Sequence, residues 1–535
     1  MDPIWTPSPE RIERAELTRF MESVRDRYHA PAPDYASLHR WSVEYPEQFW
    51  NAVWNFCGIR AERRATQVLE LGHRLPGARW FTDARLNYAE NLLRLDEETP
   101  AIIFRNESGE RREISWRALK AETARVASGL EAAGVKPGDR VAACMSNLPE
   151  TVIAMLATVS VGAIWCACSP ELGASEITDR LSPIAPRLLF AADGYRYAGA
   201  SIDCLPLLRA LKEQIESIEH IVLVPYLSGR VRSGGLEPVI AFDEFGAPGA
   251  PPSFTQQPFD HPAFILYSTS ADDAPSAVVH GAGGALIQQL KEHVLHTDLR
   301  PGERYLYYTT CGWVMWNSFV SSLAAGATIV LFDGAPLNPD PRVLWRIAEQ
   351  ERLTVLGASA RFLLGCEQAA VRPRLEFDLG ELRTLVSAGK PLDAKSCRYV
   401  YRDVSADVHL ACFFGGPDIM GSVGSACPVL PVYEGELQCV SLGMKIQVYD
   451  DAGRALIGSP GELVCTEPFP SLPVGVWGDT DDSRFNAAYL NRYPNAWWHR
   501  ELATLTSRGG LVIHQRPAPD DTGRASRPSS KGKRS

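Results

Sequence analysis

The sequence predicts an α/β fold with a largely parallel sheet, and two observations support this. From about residue 100 onward, short apolar runs alternate with amphipathic stretches, which is the pattern of strand–helix–strand units. The chain has 535 residues, of which 45% are hydrophobic and 22% are charged, as in an ordinary soluble globular protein. Because one core rarely organises such a length, we expect about two to four domains or subdomains.

The first elements are predicted in chain order. Residues 1–85 are rich in Trp, Tyr and Phe, and 45–59 spaces its aromatic residues at near-helical intervals, which favours a helical cap over an aromatic ligand site. Three predictions follow: a strand at 101–106, an amphipathic helix at 115–135 and a strand at 139–146. Residues 151–168 are nearly uncharged, but Gly162 interrupts them, so a buried helix followed by a buried strand is favoured over a membrane span.

The second half of the chain continues the alternation of strands and helices, and then becomes β-rich before it ends in a polar tail. Further strands are predicted at 217–225, 304–310 and 326–334. Residues 442–456 predict a hairpin about the turn Asp450-Asp451-Ala452-Gly453, and 461–468 predict another strand, so this part of the chain is β-rich. Residues 517–535 carry no aromatic side chain and only Ala among the aliphatic types, which predicts a disordered tail.

Charge and cysteine usage exclude several classes of function. The net charge of −10 provides no basic surplus for general nucleic-acid binding. The charged N-terminus does not resemble a secretory signal. The twelve cysteines form no CxxC pair, and Cys166 and Cys168 would share one face of a buried strand. We therefore expect a cytoplasmic protein with reduced thiols and with neither a membrane nor a nucleic acid as partner.

A loop in the sequence AFILYSTSADDAPSAVVHG (263–281) raises the functional question. The apolar run before Ser268 predicts a strand, followed by a polar turn and a second apolar run, a layout that suits a phosphate-binding loop. The turn nevertheless has no glycine and no lysine, and it carries the adjacent acids Asp272 and Asp273. The layout of a phosphate loop is therefore combined with residues that repel phosphate.

Four longer stretches resemble the acetoacetyl-CoA synthetases, a branch of the adenylate-forming acyl-CoA ligases. They are LPGARWFTDARLNYAENLL (75–93), HGAGGALIQQLKEHVLHTDLRPGERYLYYTTCGWVMWN (280–317), CPVLPVYEGELQC (427–439) and GELVCTEPFPSLPVGVWGD (461–479). The resemblance spans about residues 40 to 516. It implies an adenylate-forming domain with two layered α/β sheets and a small β-rich subdomain, and it implies ATP with Mg²⁺, acetoacetate and coenzyme A as reactants.

The same resemblance divides the chain. We expect a helical cap region (1–95), an α/β adenylate-forming core (96–430), a β-rich subdomain (431–516) and a disordered tail (517–535). Members of the family carry a further lid domain with a lysine needed for adenylation. Only 19 residues follow Arg516, and none resembles that segment, so the lid is expected to be missing.

The phosphate loop can be compared with the family pattern position by position. That pattern reads Y-S-S-G-T-T-G-x-P-K and aligns without a gap from Tyr267 to Ser276. The degenerate loop comprises Ser268, Thr269, Ser270, Ala271, Asp272, Asp273 and Ser276. Glycines are replaced at Ser270 and Asp273, threonines at Ala271 and Asp272, and the lysine at Ser276. Each change is expected to remove a phosphate contact, although a metal between the two acids would soften the effect.

Other positions of the implied nucleotide site are retained unevenly. The residues that align with it are Gly389, Pro391, Gly415, Gly416, Pro417, Asp418, Glu501 and Arg516. Pro417 replaces a threonine whose hydroxyl meets the α-phosphate, while Asp418 is a candidate ligand for Mg²⁺. Glu501, in WWHREL, stands for the aspartate that takes the ribose hydroxyls in the pattern W-x-H-G-D-W. Ala518 replaces the acid on which the lid pivots.

Three functional interpretations remain open at this point. The chain can be a folded member of the family whose ATP chemistry has lapsed, kept as a binding or regulatory protein for a small acyl or acyl-CoA ligand or a protein partner. It can be a repurposed enzyme acting on an acyl thioester or small acid, with His280, Asp272 and Asp273 as candidate acid–base groups. It can also be a ligase completed by a separate lid chain.

Overall fold

The computed structural model describes residues 2–231, 234–268, 276–389 and 392–514. In these ranges the strands form an eight-stranded sheet, a nine-stranded sheet, a four-stranded sheet and three two-stranded pairs. Helices alternate with the strands along the chain. The predicted α/β fold, with two large sheets and a small β-rich part, is confirmed. The predicted tail at 517–535 lies outside the described residues, and the bounds of the four predicted regions stay predictions.

The α-helices are numbered in chain order. They are α1 Pro9–Arg14, α2 Glu16–Tyr28, α3 Tyr35–Glu44, α4 Pro46–Phe56, α5 Tyr88–Leu92, α6 Trp116–Ala132, α7 Pro149–Ser160, α8 Gly173–Leu181, α9 Leu205–Gln214, α10 Ala282–Lys291, α11 Val314–Ser321, α12 Val343–Gln350, α13 Ala360–Gln368, α14 Pro373–Glu376, α15 Ala394–Tyr399 and α16 Ser483–Tyr489. Helix α10 continues directly into a π-helical turn, Glu292–His296.

The strands are numbered in the same way. They are β1 Leu69–Glu70, β2 Arg79–Trp80, β3 Arg85–Leu86, β4 Pro100–Asn106, β5 Arg111–Ser115, β6 Arg140–Cys144, β7 Ile164–Cys168, β8 Leu188–Ala192, β9 Gly194–Tyr197, β10 Ala200–Asp203, β11 His220–Val224, β12 Val239–Ala241, β13 Gln257–Pro258, β14 Pro262–Ser268, β15 Ser276–Gly281, β16 Arg304–Tyr307, β17 Thr328–Asp333, β18 Val355–Gly357, β19 Thr384–Ala388, β20 His409–Gly416, β21 Gly421–Ser425, β22 Cys439–Val440, β23 Ile446–Tyr449, β24 Gly461–Cys465, β25 Gly475–Val476, β26 Trp497–Leu505 and β27 Leu511–His514.

The eight-stranded sheet has the order β12-β11-β8-β6-β7-β14-β15-β25. Strands β12 to β14 in that order run parallel, whereas β15 and β25 are antiparallel additions at one edge. Strands β8 and β7 are almost wholly buried and read as continuous apolar runs, which is typical of a parallel sheet covered on both faces. The strands predicted at 139–146 and 217–225 are confirmed as β6 and β11.

The nine-stranded sheet has the order β22-β21-β20-β19-β18-β16-β17-β4-β5. Its six inner strands run parallel, and β5, β21 and β22 pair antiparallel at the two edges. The predicted strands at 101–106, 304–310 and 326–334 are confirmed as β4, β16 and β17. Trp165 and Phe264 of the eight-stranded sheet share one buried cluster with Phe104 and Tyr305 of this sheet, so the main core lies between the two sheets.

The four-stranded sheet, β23-β24-β26-β27, forms the predicted β-rich part. The turn at Asp450–Gly453 is present, with Oδ1 of Asp450 accepting from the N–H groups of Ala452 and Arg454, both at 2.9 Å. The predicted hairpin is present but short: Asp450 donates its N–H to the carbonyl oxygen of Arg454 at 3.0 Å, Leu456 donates to that of Val448 at 2.7 Å, and Ala455 bridges to Tyr449. Strand β23 pairs along its length with β24, the strand predicted at 461–468.

The aromatic N-terminal region is helical, as predicted. Helices α1 to α4 occupy residues 9–56, and Phe20, Phe49, Trp50 and Trp54 are buried in the main core. Phe49 and Trp50 meet edge to face, with ring centroids 5.1 Å apart. These side chains therefore attach the helices to the sheets and do not line a separate aromatic site.

The apolar stretch 151–168 folds as helix α7, a turn at Gly162 with φ +78°, and strand β7, as predicted. No helix in the described part of the chain combines the length and apolar character needed to cross a membrane. Cys166 and Cys168 on β7 are both fully buried with free thiols, and burial raises the pKa of Cys168 to about 12.

Candidate functional site

Two hydrogen bonds bring predicted site residues together where the two large sheets meet. His280 on β15 donates from Nε2 to the carbonyl oxygen of Pro417, 2.7 Å away in the loop after β20. Gly389, directly after β19, donates its N–H to the carbonyl oxygen of Phe413 on β20 at 3.3 Å. Since β19 and β20 are parallel neighbours, both loops lie at the carboxyl edge of the nine-stranded sheet, where open α/β sheets bind ligands.

The degenerate phosphate loop connects two antiparallel strands. Ser268, the last residue of β14, pairs directly with Ser276, the first residue of β15. The strand on each side of the loop is therefore confirmed, and the two ends of the loop are held side by side. Thr269, Ser270, Ala271, Asp272 and Asp273 lie outside the described residues.

His280 is 1% exposed, and burial lowers its pKa to about 4. Its Nε2 is engaged by the Pro417 carbonyl, and the backbone of Ser471 also interacts with the ring. The ring is therefore neutral at neutral pH and links β15 to the β20 loop. Its candidacy as an acid–base catalyst with Asp272 and Asp273 stays a prediction.

The paired glycines of the β20 loop have different surroundings. A Cβ on Gly415 would lie 1.9 Å from the carbonyl oxygen of Gly421 on the facing strand β21, so no larger residue fits without moving backbone. A Cβ on Gly416 would have Oδ2 of Asp418 as its nearest neighbour, at 3.7 Å. Gly415 is thus required by strand pairing, whereas Gly416 has open space beside it.

Pro417 and Asp418 complete this loop. Pro417 has no N–H to offer a ligand, and His280 occupies its carbonyl oxygen. Oδ1 of Asp418 accepts a hydrogen bond from the hydroxyl of Tyr489, which also interacts with the Ser268 side chain. Burial and the charge of Asp418 both raise the pKa of Tyr489, so its hydroxyl keeps its proton at neutral pH.

Aromatic packing holds Tyr489 against Asp418. Tyr489 is the last residue of α16, and its ring stacks on that of Trp497 at the start of β26, with centroids 4.0 Å apart and planes 11° apart. Phe485, one turn earlier on α16, meets the Trp497 ring edge-on at 5.8 Å. The hydroxyl is therefore placed by a stack that joins the four-stranded sheet to the site.

Strand β26 carries a bulge at the residues that align with the ribose motif. Its pairing with β24 shifts register between Trp498 and Leu502, so His499, Arg500 and Glu501 lie in the irregular segment. Arg500 has φ +62°, a left-handed conformation that favours glycine, the residue found here in the family pattern. Bulges of this kind commonly re-aim side chains beside active sites.

The bulge also faces the β20 strand. The His499 ring meets Phe414 edge-on, with centroids 5.8 Å apart, and burial lowers the pKa of His499. The guanidinium of Arg500 donates from Nε to the carbonyl oxygen of Ala488 at 3.0 Å and lies over the Trp498 ring. The charge of Asp418 acts on His499, so the bulge lies close to Asp418, whereas the ribose contact of Glu501 stays a prediction.

Two predicted positions, Pro391 and Arg516, lie outside the described residues. Gly389, two residues before Pro391, has φ +94°. No heavy atom of the described residues lies within 4 Å of the place where a Cβ would stand, so Gly389 turns the chain beside open space. A Mg²⁺ carried by a nucleotide needs only one or two protein carboxylates. Among the described residues, no group of three or more His, Cys, Asp or Glu side chains could hold a metal ion, so Asp418 as a magnesium ligand stays a prediction.

Sequence reasoning missed Tyr489 and Arg500. The run FNAAYLNRYPNAWW (485–498) signals aromatic packing, but nothing in it shows that one hydroxyl reaches Asp418, 71 residues away. Arg500 could have been noticed, because it replaces a glycine in a motif that was already aligned. The glycine of the family pattern indicates a left-handed backbone at this position, which a non-glycine residue adopts only uncommonly.

Comparison with known proteins places this geometry in context. Residues 91–471 match the family model described as AMP-binding enzyme, and residues 35–92 match the one described as acetyl-coenzyme A synthetase N-terminus. The chain is 41% identical over 520 residues to the acetoacetyl-coenzyme A synthetase of Rhizobium meliloti (strain 1021), covering 96% of this chain and 79% of that protein.

Two further relatives agree. The acetoacetyl-CoA synthetase of Rattus norvegicus is 37% identical over 521 residues, covering 95% of this chain and 77% of that protein. The solved structure of the acetoacetyl-CoA synthetase from Streptomyces lividans superposes with a TM-score of 0.92 at 39% identity, covering 96% of this chain and 80% of that one. Fold and sequence thus point to the same group of proteins.

The glycine pair provides a first test. We expect Gly415→Ala to lower the free energy of unfolding by about 1–3 kcal/mol, because the new methyl group overlaps the Gly421 carbonyl. Gly416→Ala is the matched control and should stay within about 0.5 kcal/mol of the parent, since its space is open. Urea unfolding followed by tryptophan fluorescence measures both, and equal effects would contradict the assigned roles.

The buried His280 provides a second test. Its pKa is about 4 in the folded chain and about 6.5 when unfolded, so the unfolded chain takes up a proton that the folded chain excludes. Stability is then lost as pH falls from about 6.5 towards 4, by about 2 kcal/mol at pH 5 for this residue. His280→Gln should remove that share of the loss between pH 7 and pH 5, as measured by urea unfolding.

The control for this test is His73→Gln, at an exposed position. It should leave the difference in stability between pH 7 and pH 5 unchanged. An unaltered difference in the His280→Gln protein would show that this ring is not buried in its neutral form.

Proposed function

The chain belongs to the acetoacetyl-CoA synthetase branch of the AMP-binding enzymes, and from this premise we propose that it binds a small acyl or acyl-CoA ligand without activating an acid through ATP. Its ATP-dependent formation of acyl-adenylate and acyl-CoA has lapsed, and it serves as a binding or regulatory protein. One observation carries the proposal: the carbonyl oxygen of Pro417 and Oδ1 of Asp418 both already accept hydrogen bonds from within the protein.

The Pro417 position supports the proposal first. In the family pattern a threonine hydroxyl there meets the α-phosphate, and proline replaces it with neither a hydroxyl nor an N–H. The remaining polar atom, the carbonyl oxygen, accepts from His280 and would repel a phosphate oxygen in any case. A lost hydrogen bond to a charged oxygen costs about 1.5–3 kcal/mol.

The Asp418 carboxylate supports it next. Its Oδ1 already accepts from Tyr489, whose position is fixed by stacking on Trp497. A carboxylate oxygen has two lone pairs, so Tyr489 occupies part of the capacity of Oδ1 and lowers what this oxygen can offer to a nucleotide's Mg²⁺.

The composition of the phosphate loop adds an electrostatic argument. Asp272 and Asp273 bring two negative charges, and Ser276 stands where the family pattern has lysine. A carboxylate about 4 Å from a phosphate charge costs roughly 1 kcal/mol in water and several in a cleft of lower dielectric. The loop therefore disfavours a triphosphate through composition alone.

The retained fold is the reason why we propose a binding role and not a complete loss of function. Both large sheets and the core between them are complete in the described ranges, and the fold superposes closely on a solved relative. The differences that bear on function are concentrated at phosphate positions. The relatives are acetoacetyl-CoA synthetases, which suggests the ligand class, a short β-keto acyl group or its CoA thioester.

A repurposed acid–base reaction is less well supported by the described contacts. It would require His280 to exchange protons, yet this ring is buried and engaged by a backbone carbonyl. Its low pKa also makes it a weak base at neutral pH.

The proposal predicts that the purified protein does not release pyrophosphate from ATP when acetoacetate is supplied. The physical reason is the loss of phosphate contacts at Pro417 and in the loop. A pyrophosphate-exchange assay measures this directly, with an authentic acetoacetyl-CoA synthetase as positive control. Turnover above about 1 s⁻¹, within the ordinary enzyme range, would contradict the proposal.

A repaired protein tests which positions matter. The substitutions are Ser270→Gly, Ala271→Thr, Asp272→Thr, Asp273→Gly, Ser276→Lys and Pro417→Thr. They shift the local charge by three units in favour of phosphate, and each unit is worth about 1 kcal/mol even when screened. Calorimetric affinity for ATP·Mg should therefore rise by roughly 100-fold.

The matched control restores only Pro417→Thr and leaves the loop charges in place. It should gain less affinity than the full repair. If the fully repaired protein binds ATP·Mg no better than its parent, the loop is not where binding was lost, and the bulge at Arg500 and Glu501 becomes the candidate.

A further inference from the structure

A cavity of about 440 Å³ lies between α2, the end of α4 and α10, on the N-terminal side of the molecule. Its volume falls within the range of small-molecule sites. None of the described residues that align with the nucleotide site lines it. It is therefore separate from the cleft described above.

One wall of this cavity is cationic. Arg19, Ser23 and Arg27 lie at intervals of four residues on one face of α2, and all three line it. Arg94 contributes a further guanidinium from beyond α5. The one acid of the lining, Glu16, is already paired with Arg19 at 2.6 Å. The charges of Arg27 and Arg94 remain uncompensated within the lining.

Of Arg27 and Arg94, Arg94 gives the stronger evidence for a bound ligand. It donates from Nε to the carbonyl oxygen of Asn91 and from Nη1 to that of Cys57, both at 3.1 Å, and so caps the ends of α5 and α4. Its Nη2 is buried and has no hydrogen-bond acceptor in the described part of the chain.

No carboxylate of the described ranges lies within ion-pair distance of Arg94, and burial with neighbouring Arg60 lowers its pKa. Helix capping accounts for two of its nitrogens but not for the third. A buried cation without a counter-ion is costly, and a bound anion would relieve that cost.

Much of the remaining lining is apolar. It includes Leu290 and Val294 from α10 and its π-helical turn, together with Leu299, Ala324 and Ala325. The cavity thus offers both guanidinium groups and aliphatic carbon. That combination matches an amphipathic acid better than a bare inorganic anion.

We propose that this cavity binds a small carboxylic acid with a short hydrocarbon chain. Its carboxylate faces Arg94 and Arg27, and its chain packs against Leu290 and Val294. The occupancy of such a site would follow the concentration of free short-chain acid. The site would take no part in reactions at the nucleotide cleft.

Isothermal titration calorimetry with hexanoate on the full chain tests the proposal, with a dissociation constant on the order of 1 mM expected. Arg94→Gln should weaken binding at least tenfold and Arg27→Gln about threefold. Ala325→Leu, which fills the cavity and keeps the charges, should abolish it. Arg361→Gln, at an exposed position on α13, is the matched control and should change nothing.

Two further probes decide the ligand class. Hexan-1-ol should bind at least tenfold more weakly than hexanoate, and inorganic phosphate should not compete. Absence of hexanoate binding, equal binding of the alcohol, binding of phosphate alone, or equal affinity in Ala325→Leu and the parent would overturn the proposal. Arg27→Gln keeps the test decisive if Arg94→Gln fails to fold, because Arg27 is exposed and has no helix to cap.

Discussion

One buried hydrogen bond, from Nε2 of His280 to the carbonyl oxygen of Pro417, holds the candidate site together. It joins the edge of the eight-stranded sheet to the loop that leaves the nine-stranded sheet. The ring is neutral and buried, and a hydrogen bond is stronger in the protein interior than in water. The bond therefore depends on the exclusion of water from this region. The same bond engages the one polar atom that Pro417 has, so this residue supports the frame and offers no donor to a phosphate.

The fold and the binding of phosphate depend on different sets of residues, so one can change without the other. The sheets depend on many buried apolar residues, and a single substitution rarely destroys such a core. Phosphate binding depends on a few glycines, hydroxyls and one lysine, so replacing them changes affinity by large factors while the fold persists. This asymmetry underlies the proposal that a chain 41% identical to an acetoacetyl-coenzyme A synthetase has a different function.

Much of the fold could be predicted from the sequence, and less of the site. Helix α7 and strand β7 followed from their apolar pattern and Gly162, because burial leaves a direct trace in composition. The hairpin at 442–456 is shorter than its pattern predicts, because β23 takes its main partner, β24, from later in the chain. The contact of Tyr489 with Asp418 was out of reach for the same reason, since the aromatic side chain looks like any other core residue in the sequence.

The central claim is that the cleft has kept its shape and lost its affinity for the phosphate chain. The most direct test is calorimetric titration of the unmodified protein with ATP·Mg and with AMP, side by side. Since the sequence between β14 and β15 carries two acids and no lysine, the account predicts that AMP binds at least as tightly as ATP·Mg. Tenfold tighter binding of ATP·Mg than of AMP would contradict it.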